Sequence, residues 1–275
     1  MSDNLFAFVV LMGIIAIALF GGIKNKPFVL LENPGNTTFQ DQNSSSNSAT
    51  PNNSQYKNNV DFSWGSFGNK ADQEYLQITA NSNNTASINI SGWKIVDNGS
   101  KAVITIPRST GLYGSGESNY DQGVVLEPGE TAYIITGKSP VGYGMHANIC
   151  SGYLSQFNSF TPSLYSYCPS AYSESSTTVY RTPINNNCID LIESAGSCTT
   201  RTVALDNSYT SQCQQLFSTT LTYQGCVNLH KKEGNFYSPK KWYVYLKRDS
   251  SLWNVSRQSI TLMDGDGKAI KTITK

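Results

Sequence analysis

Residues 86–96 read ASINISGWKIV, followed at 101–106 by KAVITI, at 122–127 by QGVVLE and at 131–136 by TAYIIT. These are short runs rich in β-branched residues, separated by Gly, Asn, Pro and Asp, and this is how an all-β domain is written. In the first run Ile88, Ile90 and Trp93 fall where they contribute to one buried face, and Ser91-Gly92 permits a bulge or close approach before the tryptophan. Trp93 is therefore the expected central core aromatic. Working outward, QEYLQIT (73–79) precedes these runs, and WYVYLKR (242–248), QSITLM (258–263) and KAIKTI (268–273) follow. Pro128-Gly129 and Asp264-Gly265-Asp266-Gly267 supply sharp turns between neighbours.

In their order, EYLQI, INISGWKIVD, the strand ending ITIP, LEPGETAYI and QSITLMDGDGKAI resemble the lamin-tail domain, and most closely its membrane-anchored bacterial version with a cysteine-bearing insertion. The matching stretches cover about 71–138 and 241–273. The resemblance implies a mainly β, immunoglobulin-like sandwich, and it implies no catalytic centre. The membrane anchor, the missing coiled coil and the long insertion depart from the eukaryotic members, so a nuclear-scaffold role is not expected.

Residues 139–240 interrupt the strands and hold all six cysteines: Cys150, Cys168, Cys188, Cys198, Cys213 and Cys226. An even, clustered set without a C-x-x-C pair reads as a disulfide framework rather than a zinc site, which requires an oxidising compartment. Six cysteines allow fifteen pairings. The expectation is Cys150–Cys168, Cys198–Cys213 and Cys188–Cys226, nesting two short helices at 188–195 and 210–217 into a hairpin.

Residues 5–23 (LFAFVVLMGIIAIALFGGI) carry no charge and are long enough to cross a bilayer as a helix. A cleaved signal peptide is the alternative, but MSDN lacks a basic residue and no A-x-A site follows. The expected organisation is an anchor over 1–26, a disordered Asn/Ser-rich stalk over 27–60 and a sandwich head over 61–275. Lys24 and Lys26 follow the helix while Asp3 precedes it, which on charge alone would turn the head inward. The cysteines favour the opposite orientation, a single-pass cell-membrane protein with its bulk extracytoplasmic.

Net charge is only +1, yet residues 227–275 hold 10 Lys/Arg against 4 Asp/Glu. Nucleic acid is not expected as a partner. A weak polyanion module using Lys231, Lys232, Lys240, Lys241, Lys247 and Arg248 stays open beside the reading of a solvated edge. Between 143 and 180 the chain mixes Tyr143, Tyr153, Tyr165, Tyr167, Tyr172, Tyr180, Phe157 and Phe160 with Ser and Asn, as recognition loops do. The same rings could equally pack the insertion onto the sandwich. The candidate binding surface is Tyr153, Tyr165, Tyr167, Lys240, Lys241 and Arg248.

Only His146 and His230 occur, both expected at the surface, and no G-x-S-x-G, H-E-x-x-H or P-loop pattern is present. Gly142, Gly144 and Ala147 match G-x-G-x-x-A without a helix to receive a phosphate. Asp264-Gly265-Asp266 starts like a calcium loop, but Lys268 and Ala269 break it, so a hairpin turn is expected. No cofactor or metal is expected. The expected function is a non-enzymatic, membrane-tethered surface protein for envelope architecture or recognition of a protein or glycan partner, with the lipid bilayer holding its N-terminal helix. An extracytoplasmic hydrolase or accessory subunit with a site in the insertion is the alternative.

Overall fold

The computed structural model describes residues 53–67, 70–114, 121–178, 185–203, 208–253 and 258–275. The anchor expected over 5–23 and the stalk up to 52 lie outside these residues. Among the described residues no helix is long and apolar enough to cross a membrane.

The head is mainly β, with thirteen strands among the described residues. They are β1 (Val60–Ser66), β2 (Tyr75–Ala80), β3 (Ile88–Asn89), β4 (Lys94–Asp97), β5 (Val103–Thr105), β6 (Ser109–Thr110), β7 (Asp121–Gln122), β8 (Val125–Leu126), β9 (Thr131–Ile135), β10 (Met145–His146), β11 (Lys241–Tyr245), β12 (Ser259–Met263) and β13 (Ala269–Thr274). A seven-stranded sheet runs β1-β2-β9-β11-β10-β6-β7, a four-stranded sheet runs β13-β12-β4-β5, and β3 pairs with β8.

Alternating burial along β2 points Leu76, Ile78 and Ala80 inward. They meet Ala132 and Ile134 of β9, Trp242 and Val244 of β11, and Ile95, Ile104, Ile260 and Leu262 of the smaller sheet in one shared core. Trp93 belongs to this core at 3% exposure. Its run is not one strand. Gly92 takes φ +85°, a value glycine adopts freely, and the chain crosses there from β3 into β4.

The stalk ends earlier than its composition suggests. Ser54 is buried and donates its N–H to the Ala269 carbonyl, Tyr56 lies 5.1 Å from the Trp93 ring, and Val60 enters the core. Two apolar side chains in a polar stretch are enough to dock 53–60 onto the head. At the other end, Asp264 Oδ1 accepts the Asp266 and Lys268 N–H groups at 3.0 and 2.9 Å, so this loop is a self-capped hairpin turn.

β9 and β11 are parallel neighbours paired from Lys241↔Thr131 to Tyr245↔Ile135. The insertion is thus the crossover between them. Among the described residues it carries four α-helices: α1 (Ala171–Thr178), α2 (Asn186–Glu193), α3 (Ser211–Gln215) and α4 (Tyr223–His230). The two expected helices correspond to α2 and α3, the latter continuing into a wide turn over Leu216–Thr220. β11 is buried on both faces. Trp242 and Val244 face the shared core, while Tyr243 and Tyr245 join Ile135, Met145, Leu154, Phe160 and Leu164 in a second cluster built largely from the insertion.

Three disulfides staple the insertion and leave no free cysteine: Cys150–Cys226, Cys168–Cys198 and Cys188–Cys213. None is an expected pair. The reason is local. Asn185 and Thr210 cap α2 and α3 by accepting the N–H of Cys188 and Cys213, which puts both cysteines at equivalent points of two first turns that face one another in a common apolar cluster. Cys226 rides on α4, capped by Thr222, and closes instead on Cys150.

Candidate functional site

The aromatic residues of the insertion divide by the direction their backbone gives them. Tyr153 sits in the 3-10 turn Ser151–Gln156 and is only 4% exposed, packed among Cys150, Cys168, Cys198 and Cys226. Burial, with the nearby Glu174 charge, pushes its phenol up to about 12. It belongs to the core and is withdrawn from the candidate surface; Phe160 is buried too, in the cluster under β11. Tyr165 and Tyr167 point outward, with Tyr167 at 75% exposure and the two rings 5.2 Å apart. Phe157 and Tyr172 are exposed as well, and Tyr180 lies outside the described residues.

The Tyr165–Tyr167 pair is firmly mounted. The Cys168–Cys198 bridge begins at the next residue, the Cys168 carbonyl accepts the Ser197 hydroxyl at 2.7 Å, and the Gln156 side chain makes two 2.8 Å hydrogen bonds with the backbone of Thr200. From 147 to 173 the chain has no Asp, Glu, Lys, Arg or His, so the rings stand in a neutral field of hydroxyl and amide groups.

The basic residues do not converge. Lys240 is exposed at the start of β11, and Lys241 is half-buried with its Nζ 3.2 Å from Thr131 Oγ1 and over the Tyr133 ring. Burial holds the Lys241 ammonium below the usual lysine range. Lys247 and Arg248 lie beyond the other end of that strand, roughly 20 Å away at about 3.3 Å per residue. Arg248 instead lines an open cleft of about 710 Å³ with Lys70 and Lys138, the last paired to Asp249 at 2.5 Å. A single polyanion patch is therefore split into separate pieces.

Neither histidine is a surface residue. His146 is stacked between Tyr237 and Trp242 at 4.2 and 4.4 Å, and its Nε2 meets Glu130 Oε1 at 3.1 Å. Burial alone would raise the Glu130 carboxyl, but the His146 contact and the Glu127 N–H hold it below the ordinary carboxylate value. His230 bridges Glu174 Oε1 at 2.6 Å through Nε2 and Glu233 Oε1 at 2.7 Å through Nδ1, tying α4 to the buried acid of α1. Burial would depress the His230 pKa; the two carboxylates raise it. Both ring nitrogens are occupied, so this triad reads as a clasp. Among the described residues no group of three His, Cys, Asp or Glu side chains is placed to hold a metal ion.

No family model, no curated protein and no solved structure matches this chain.

Proposed function

We propose that this chain is a non-enzymatic, membrane-tethered recognition protein whose lamin-tail-like, immunoglobulin-type sandwich displays a disulfide-stapled insertion outside the cell. One observation carries the reading. The insertion spends its inward aromatics on packing against the larger sheet, yet keeps Tyr165 and Tyr167 paired and exposed on a loop fixed by the Cys168–Cys198 bridge. A rigid exposed aromatic pair is preorganised contact area, which lowers the ordering cost of binding.

Supporting the sandwich, the two larger sheets enclose one core around Trp93, and the stretches that resemble the lamin tail supply β2, β4, β9, β12 and β13. Supporting the outside placement, all six cysteines are bridged, a state that cytosolic thiol buffers oppose. Supporting a non-catalytic role, both imidazoles are held in structural pairs.

The test uses the full chain in intact cells. After reduction, a membrane-impermeant thiol reagent should label the cysteines, and complete protection would refute the outside placement. A photo-cross-linking amino acid at position 167 should capture a discrete envelope component that the same group at exposed Asn228 does not. Equal capture at both positions, or none at 167, would refute the recognition surface.

A further inference from the structure

A surface helix ordinarily docks through an apolar stripe. In α1, among the described side chains, only Ala171 is both apolar and buried, in the cluster that holds Cys188, Ile192 and Leu216. Tyr172 faces solvent at 64% exposure. The other inward positions are Glu174 and Ser175, and the Ser175 hydroxyl turns back onto the Tyr172 carbonyl at 2.7 Å. The Glu174 side chain is 3% exposed, and a charge so far from water is costly unless it is paired. Its pairing with His230 therefore weighs heavily in whether α1 docks.

The His230 ring meets a carboxylate oxygen on each side, Glu174 at 2.6 Å through Nε2 and Glu233 at 2.7 Å through Nδ1. Only the imidazolium has an N–H for each, and the neutral ring turns a lone pair on one of them. Glu233 is 47% exposed and can rotate into water; Glu174 reaches water only if α1 moves. The groups around this pair are few. From the 3-10 turn packed against α4 comes Tyr153, close enough to feel the Glu174 charge, its phenol pushed up to about 12 and so neutral. The wide turn Leu216–Thr220, also packed on α4, brings no titratable side chain, and Lys231 and Lys232 follow His230 along the chain.

We infer that α1 is a pH-released strap, fastened to α4 while His230 carries two ring protons and freed when the ring gives one up to solvent. Release hydrates the Glu174 carboxylate and uncovers the part of the α2–α3 cluster on which Ala171 sits. The sheets, with their own core, stay folded. The two carboxylates outweigh burial and hold the ring's pKa above 6.5, so the strap is closed below 6.5 and opens as pH climbs through the folded value. This device goes beyond the recognition reading and does not depend on it.

The test is hydrogen–deuterium exchange of the full chain across a pH series, read on peptides covering 171–178 and corrected for the intrinsic base-catalysed rate. Protection of α1 should be constant below 6.5, fall by up to about tenfold per pH unit above it, and level off beyond the folded His230 pKa. Peptides from β9 and β11 should keep their protection throughout. In His230→Gln, α1 should show the low protection of that plateau at every pH, and Glu174→Gln should remove most of the pH response. Constant α1 protection across the series, an equal fall in β9 and β11, or the parent's full pH response in either variant would overturn the strap.

Discussion

Removing the Cys150–Cys226 bridge by a Cys150→Ala/Cys226→Ala double substitution should cost more stability than removing either other bridge. The bridge closes 76 residues and encloses both of the others, which span 30 and 25 and interlock, since Cys188 lies inside the Cys168–Cys198 loop. With the inner bridges intact, the shortest path from 150 to 226 falls to roughly 40 residues, for which chain-entropy arguments give about 4 kcal/mol. The Cys188–Cys213 bridge, closing 25 residues, is worth about 3.5 kcal/mol, and the Cys168–Cys198 bridge offers no shorter path between its ends. Against a typical domain stability of about 5–15 kcal/mol, the outer bridge is a large share. Urea unfolding of the full chain, followed by tyrosine and tryptophan fluorescence, reads the difference, with non-reducing peptide mapping to confirm that the remaining bridges stay paired. A double variant within about 1 kcal/mol of the parent, or a larger loss on removing Cys188–Cys213, would refute the loop-closure reasoning.

Gly152→Ala should prevent correct closure of Cys168–Cys198, since a Cβ at that position would overlap the Cys198 sulfur and a bridged sulfur cannot swing away; free thiols counted after oxidative folding would show it. Trp93→Ala should destabilise the head by about 3–5 kcal/mol in thermal or urea unfolding, as expected for emptying a core aromatic. The His230 clasp should weaken as pH rises. Its folded pKa lies above 6.5, so its stabilisation is complete below 6.5 and is lost as pH climbs through the folded value; the parent should therefore lose stability relative to His230→Gln as pH rises above 6.5. A constant difference between the two across that range would contradict this.

The β character of the head was legible because its longer strands carry period-two burial or short apolar runs. TAYIIT, QSITLM and KAIKTI sit within a residue or two of β9, β12 and β13. What escaped has identifiable causes. β6, β7 and β10 are two residues each and have no period to read, and β1 begins where Asn-rich composition still dominates. α1, AYSESSTT, has no apolar stripe and is held by the Ser170 cap and the Glu174–His230 contact, neither of which local patterning reveals. Sequence separation does not choose among disulfide pairings, although the matched caps at Asn185 and Thr210 were a readable hint for Cys188–Cys213. Tyr153 and Tyr167 look alike in composition. They part because Tyr153 lies beside Leu154 in a turn packed on the sheet, while Tyr167 precedes a bridged cysteine on an open loop.

The parallel pairing of β9 with β11 explains why the insertion exists in this form. Adjacent parallel strands cannot be joined by a tight hairpin, so a long crossover is obligatory, and it must cover the outer face of the sheet that β11 fills with Tyr243 and Tyr245. WYVY reads as an unbroken apolar run because both of its faces are buried, one by the smaller sheet and one by this crossover. The crossover has few aliphatic residues of its own, so bridges supply the rigidity that a larger core would give. With β11 covered on both sides, binding surfaces are displaced to loop tips and sheet ends. Tyr165–Tyr167 occupies the first kind of position, on a loop that the Cys168–Cys198 bridge holds clear of that core.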